Sequence, residues 1–515
     1  LENMLFYDKT FNDKHTLGVT LLQSIQEDKR ESVNVAMENL PADNLKYYDL
    51  GSGLVTNTIG SSMIKWNMAS FMGRINYNYL GRYLLTVSAR YDGSSRLADG
   101  HKWVLFPSAA LAWRINEESF MSSTSGWLDN LKLRLGFGKT GNSAVDPYQT
   151  KGTLSLIRYP FDNGGTPTIG YAPNAMANSL LTWETTDQWN LGIDFGVLRG
   201  RINGTIDLYM QNTHDLLLKR QLPVVSGFPD VLSNVGKTRN KGIEVSINSM
   251  NINSKDFQWT TDLMLSSNKE EIVELYNGKN DDIGSKWFIG QPVNVHYDYR
   301  KVGIWQNTES DLAEMAKFAA NGTEFAPGDI KIQDVNGDYK ITDADKQILG
   351  NPRPKLIASM VNTFNYKGFD LSVFLYASFG AMLYNDIYAV EHCGRNGGVK
   401  VDYWTPNNPT NAYPRPSIDE ERPIYITSTY YEKADFLRVK TMTLGYTLPK
   451  TLTNKFLVEK LRVYFTAQNP FIFTNYTGID PEAAKVNSAG NPETNGSGFG
   501  TPSVSSWIFG INLTL

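Results

Sequence analysis

"GRYLLTVSARYDG", residues 81–93, sets Tyr83, Leu85, Val87, Ala89 and Tyr91 against Leu84, Thr86, Ser88 and Arg90. Successive side chains of a strand point to opposite faces, so this period of two makes one face apolar and the other largely polar. The alternation recurs down the chain. "LKLRLGFGK" (131–139) opposes Leu131, Leu133, Leu135 and Phe137 to Lys132, Arg134, Gly136 and Gly138. "WNLGIDFGV" (189–197) opposes Trp189, Leu191, Ile193, Phe195 and Val197 to Asn190, Gly192, Asp194 and Gly196. "LRVYFTAQ" (461–468) and the terminal "WIFGINLTL" (507–515) repeat it, the last with Trp507, Phe509, Ile511, Leu513 and Leu515 on one face.

A soluble sandwich would alternate as well, so the connections decide. Short links at 11–15, 79–82, 198–201, 253–256 and 366–369 interleave with long ones at 37–62, 143–180, 219–240, 276–353, 384–435 and 475–504. Short turns on one side and long loops on the other mark an outer-membrane barrel, its apolar face on lipid and its polar face lining the lumen. In hydrocarbon an open edge would leave backbone N–H and C=O groups unpaired at several kcal/mol each, so such a sheet closes. The expected fold is therefore all-β, a transmembrane antiparallel β-barrel with about fifteen strands in this chain. Tyr77, Tyr79, Trp113 and Trp183, near strand ends, fit the interfacial aromatic girdles or plain packing. With a periplasmic C-terminus every long link is extracellular and the first strand runs inward from outside. That start and the odd count point to a chain that begins partway through a larger barrel.

Composition narrows the function. A net charge of -4 gives no electrostatic case for nucleic acid. The lone Cys393 excludes an internal disulfide framework. No apolar run is long enough for a membrane helix, and "LENMLFYDKTFND" at the start has no signal-peptide pattern. The five histidines, His15, His101, His214, His296 and His392, form no metal-spacing pair, and no nucleophile-elbow motif occurs. The acid pairs Asp281/Asp282 and Glu420/Glu421 sit in loops and read as solvated. No enzymatic activity is expected.

One segment has its own chemistry. "DVNGDYKITDAD" (334–345) places Asp334, Asn336 and Asp338 at positions one, three and five of a twelve-residue calcium loop, and its opening resembles the loops of dockerin modules. Lys340 would offer its carbonyl at seven, Thr342 a water-mediated contact at nine, and Asp345 closes the loop. Ile341 stands where such loops turn an apolar residue inward. Tyr339 replaces the usual glycine at six, and Asp345 the usual Glu at twelve. The other reading is an Asx turn that needs no metal. A structural Ca2+ would act as a clamp on the long link 276–353, stabilising by mass action a loop expected to lack its own core.

"NVGKTRNKGIEVSIN" (234–248) resembles the strand entry of TonB-dependent outer-membrane receptors. Residues 81–121, 289–306, 328–380 and 434–449 ("ADFLRVKTMTLGYTLP") resemble the SusC/RagA family of Bacteroidota transporters, a likeness that covers nearly the whole chain. It implies a twenty-two-stranded barrel with an N-terminal plug and TonB box, of which this chain, residues 1–515, would be the C-terminal part. It also implies TonB-coupled import of oligosaccharides or peptides under a SusD-like lid lipoprotein, and a possible dimer of transporter–lid pairs. The remaining partners would be the N-terminal remainder of the transporter, TonB through that part, and outer-membrane lipid. A passive porin or a surface adhesin barrel is the alternative. Aromatic rings stack on sugars and pack on peptide side chains, so Trp287, Tyr403, Trp404, Tyr430 and Tyr431, in the long links, are the substrate-binding candidates; packing against the lid or one another is the competing reading.

Overall fold

The computed structural model describes residues 1–42, 44, 46–161, 167–385, 400–416, 422–453, 455, 458–482 and 503–515; His392, Cys393 and the pair Glu420/Glu421 lie outside them. Fifteen strands form one antiparallel sheet in which every strand pairs with the next. They are β1 (Glu2–Phe11), β2 (His15–Glu38), β3 (Val55–Tyr79), β4 (Tyr83–Ser94), β5 (Trp103–Arg114), β6 (Leu128–Asn142), β7 (Glu184–Val197) and β8 (Ile202–His214). β9 (Lys237–Asn253), β10 (Phe257–Glu274), β11 (Leu356–Tyr366), β12 (Phe369–Phe379), β13 (Phe436–Thr447), β14 (Lys460–Thr474) and β15 (Ser506–Thr514) complete it. Among the described residues β1 and β15 do not pair with each other, so the wall is open between them. Among the described residues no helix is long and apolar enough to cross a membrane.

The two faces are those that the alternation requires. On β4, Tyr83, Leu85, Val87 and Tyr91 are exposed, while Leu84, Thr86, Ser88 and Arg90 are half-buried. The polar face is laced across strands: Ser88 shares a hydroxyl bond with Ser108 (2.6 Å), and Arg134 reaches both Asp194 (2.7 Å) and Asp207 (3.0 Å). Such cross-strand pairs are the unit of sheet stabilisation, and here they also satisfy charges that face a lumen rather than lipid.

Because the strands form a meander, successive links fall on alternate rims. One rim carries 12–14, 80–82, 115–127, 198–201, 254–256, 367–368 and 448–459; the other carries 39–54, 95–102, 143–183, 215–236, 275–355, 380–435 and 475–505. The tightest turn, Lys367 (φ 45°) and Gly368 (φ 91°), has positive φ at both central residues, the conformation that matches the twist of flanking strands. A Cβ at Gly368 would lie 2.9 Å from the Thr447 carbonyl oxygen, so glycine is required twice over.

One expectation is corrected, and one open alternative is decided. The link expected at 37–62 is shorter, because β2 runs to Glu38 and β3 starts at Val55. Past Ile25 and Asn67 the two strands of this hairpin have no other strand beside them among the described residues, and Ser32–Ser62 (2.7 Å) and Lys65–Glu27 (3.2 Å) tie them together. Residues polar on both faces read as a loop, yet they pair readily once the strands stand in water. Trp183 is no girdle residue: it is 3 % exposed, packed with Leu97, Phe106, Val145 and Leu181, and its indole N–H donates to the Lys102 carbonyl. The girdle reading suits Tyr79, Tyr83 and Trp113, which stack in a row beside the short links at 6.2 and 6.4 Å.

Candidate recognition site in the long-link rim

The links 275–355 and 380–435 fold together. Lys301–Ile304 pairs with Ile330–Ile332, His296–Asp298 with Gln347–Gly350, and Met382–Tyr384 with Tyr431–Lys433. Between them Ile304, Ile330, Ile332, Trp404, Ile426 and Tyr430 form one buried cluster, with Tyr299 and Ile341 packed against it. A helix α1 (Glu309–Ala320) starts where the Thr308 hydroxyl accepts the Asp311 N–H and where Glu309 and Asp311 favour the helix dipole. It sets Met315 and Phe318, three residues apart on one face, against Trp305. The expectation that the link 276–353 lacks a core is therefore overturned. Its apolar residues lie too far apart in sequence to show a local period, and they meet only through the short hairpins.

The loop 334–345 is closed by its own hydrogen bonds. Asp334 accepts the Gly337 and Tyr339 N–H groups (2.7 and 2.8 Å), Asn336 that of Asp338 (3.1 Å), and Asp338 that of Lys340 (2.8 Å). Asp345 is completely buried, and its two oxygens take the Val335 and Thr342 N–H groups (2.9 and 2.8 Å). Tyr339 adopts φ 56°, the left-handed conformation that glycine supplies at position six. Its ring is held by Phe318 at 5.4 Å, which offsets the strain of about 1–2 kcal/mol. Ile341 turns inward as expected. The donor set is all oxygen, as calcium prefers. Among the described residues, however, no group of three or more His, Cys, Asp or Glu is gathered to share a metal.

The structure brings together three of the five substrate candidates. Trp404 and Tyr430 are 6 % and 2 % exposed in the shared core, and the Trp404 indole donates to Gln306 (2.8 Å). Tyr431 donates its hydroxyl to Asp298 (3.0 Å) and lies 5.1 Å from the His296 ring. Burial, then the Asp298 charge, pushes the Tyr431 phenol far above its ordinary range. Tyr403 stays open, 46 % exposed, on a cavity of about 450 Å³ that Asp402 and Asn408 also line. Trp287 belongs to a separate turn, closed by backbone bonds with Asp282. Asp281 is exposed, in line with the solvated reading, and Asp282 is half-buried; they accept the Ile289 and Ser285 N–H groups.

Lys301 carries no signal in the sequence. It lines a cavity of about 590 Å³ with Asp402, Tyr413, Tyr431 and Glu432, and donates to the Ala412 carbonyl (2.8 Å). Desolvation lowers its pKa to about 8. The carbonyl that holds it lies over a hundred residues away, so no local pattern could mark it.

Comparison with known proteins agrees with this architecture. Residues 5–469 match the family described as TonB dependent receptor-like, beta-barrel. The chain is 32% identical to TonB-dependent receptor P3 of Formosa agariphila, over 99% of this chain and 52% of the relative. It is 35% identical to TonB-dependent receptor SusC of Bacteroides thetaiotaomicron, over 81% of this chain and 41% of the relative. The chain thus spans about half the length of the curated relatives it matches. In fold it superposes on a structure titled as that of the RagAB peptide transporter with TM-score 0.83 at 22% identity, covering 99% of this chain and 55% of the other. The chain belongs to the TonB-dependent receptor-like β-barrel family of the outer membrane, a family of receptors and not of enzymes.

Proposed function

We propose that the whole protein imports oligosaccharides or peptides across the outer membrane, coupled to TonB and covered by a SusD-like lid lipoprotein. The observation that carries the reading is the asymmetry of the rims: the six longest links all lie on one, and two of them fold into a cored assembly. A passive pore needs no such structure at its mouth. Family membership and the names of the relatives, the TonB-dependent receptor SusC and a peptide transporter, support nutrient uptake. In this reading the long-link rim is extracellular, the C-terminus periplasmic, and the exposed face containing Val87 and Leu135 meets lipid. Tyr403 is the ring presented to a ligand. Calcium at 334–345 is a structural addition to a loop that already closes itself, held by Asp334, Asn336, Asp338, the Lys340 carbonyl, Thr342 and Asp345.

The test compares uptake of labelled oligosaccharide and oligopeptide pools by cells with and without the gene, before and after a protonophore. Uptake that depends on the gene and stops with the protonophore fits the importer. Gene-dependent uptake that survives it makes the barrel a passive porin, and the absence of any gene-dependent uptake favours the adhesin.

A further inference from the structure

A third cavity, of about 530 Å³, opens on the long-link rim between β3 and the links 95–102 and 143–183. Lys65, Lys102 and Lys151 line it against a single acid, Asp99, and the rings of Trp66 and Tyr148 stand beside them. Lys102 pairs with Asp99 (2.5 Å) and Lys65 with Glu27 (3.2 Å), whereas Lys151 makes no ion pair among the described residues. Behind Trp66 lies a fourth cation: the Arg96 guanidinium stacks on the indole at 3.9 Å, and its Nε is buried with no hydrogen-bond partner among the described residues. The four cations Lys65, Lys102, Lys151 and Arg96 face three acids, Glu27, Asp99 and Asp28, the last directly opposite Trp66 in the register with β2, leaving one positive charge in excess (4 - 3). Three separate chain segments converge to make this excess, and Tyr148 fixes one of them by accepting the Lys65 N–H (3.2 Å).

A partly enclosed positive excess is stabilised by an anion, and lysine ammonium groups suit phosphate, sulfate and carboxylate alike. The aromatic faces add a preference, because the C–H face of a sugar packs on an indole or phenol ring. We propose that this cavity binds a sugar unit bearing a negatively charged group. Such a unit has two sources: an acidic oligosaccharide arriving for import, or the phosphorylated headgroup of an outer-leaflet glycolipid. The inference takes from the import reading only that this rim faces the outside. Binding by the purified protein needs no TonB, so it fails or succeeds independently of transport.

The experiment uses the full-length protein in detergent and two pairs of probes. The first pair is tetragalacturonate and its neutral methyl ester; the second is lipopolysaccharide and its dephosphorylated form. In at least one pair the more highly charged probe should bind about tenfold more tightly than its match, with an advantage that shrinks as salt rises. Lys65→Gln with Lys151→Gln should remove that advantage, while Lys65→Arg with Lys151→Arg keeps it, and heat-resistant mobility of each variant reports a folded barrel. Preference in the first pair identifies a soluble ligand and in the second a lipid one. Equal affinity within both pairs, or a folded Gln variant that keeps the preference, overturns the proposal.

Discussion

Arg438 on β13 and Asp480 at the foot of the last long link form an ion pair whose side chains are only 4 % and 3 % exposed. Glu482 adds a second carboxylate to Arg438 (3.1 Å) and also pairs with Lys440. Asp480 accepts the N–H groups of Glu482 and Ser503 (2.9 and 3.0 Å), so both ends of that link are tied to one strand. Asp480→Asn should cost about 3 kcal/mol in thermal unfolding of the whole protein, because it leaves the Arg438 charge buried and poorly compensated. Arg438→Met with Asp480→Leu should cost clearly less. If the double variant is the worse of the two, the pair is a net stabiliser. Burial raises the Asp480 pKa, but those two N–H groups and Arg438 outweigh it and hold the carboxyl below its ordinary 3.8. A lowered carboxyl stabilises above that value and loses its contribution as the pH falls through the lowered pKa, so the latch should release only in strong acid.

Val87 and Ser88 are neighbours on opposite faces. Val87 is 44 % exposed on the apolar face, and Ser88 is bonded to Ser108 on the polar one. Val87→Lys should impair assembly in lipid by about 2–4 kcal/mol, as should a charge at Leu133, while Ser88→Lys and changes at Lys132 are tolerated. Folding yield into vesicles measures this, and equal tolerance on both faces would contradict the membrane wall.

Tyr403 and Trp404 divide the candidate site between ligand and scaffold. Tyr403→Ala should reduce uptake and leave the melting temperature within experimental error. Trp404→Ala should destabilise the rim by about 3–5 kcal/mol through the cavity it opens, seen as faster proteolysis of 275–435. A Tyr403 variant with normal uptake of every transported ligand would remove that ring from the site.

For the loop 334–345, calcium should slow proteolysis of the link 276–353 in the native protein and have no such effect after Asp334→Ala with Asp338→Ala. Asp345→Ala should loosen the loop with or without calcium, by about 1–3 kcal/mol for each buried N–H left unpaired. Identical cleavage rates with calcium and with chelator would leave the metal-free Asx turn as the whole account.

Lys301 gives the rim a pH dependence. Its pKa falls from 10.5 to about 8 on folding, so between those values the unfolded chain binds more protons and stability rises with pH. The burial cost is therefore present in full below about pH 8 and relieved towards 10.5. Thermal melts should show an upward slope over that window, and Lys301→Met should flatten it while raising stability at neutral pH. An unchanged slope in the variant would assign it to another group.

The wall and its two faces are legible in the order of residues alone. Alternation in stretches such as 83–91 follows from backbone geometry within each strand, and a meander places successive links on alternate rims without further information. The opening aspartates and Ile341 likewise marked the loop 334–345 from local spacing. The fate of side chains whose neighbours are distant in the chain emerges only when the links pack together. Trp183 is buried by residues 97–145, Trp404 and Tyr430 by a core that includes 304–332, and Lys301 is desolvated beside 412. The left-handed Tyr339 depends in the same way on Phe318, twenty-one residues before it. Periodicity encodes which way a side chain points, whereas burial and charge depend on what packs against it, and that contact is made between links that share no local pattern.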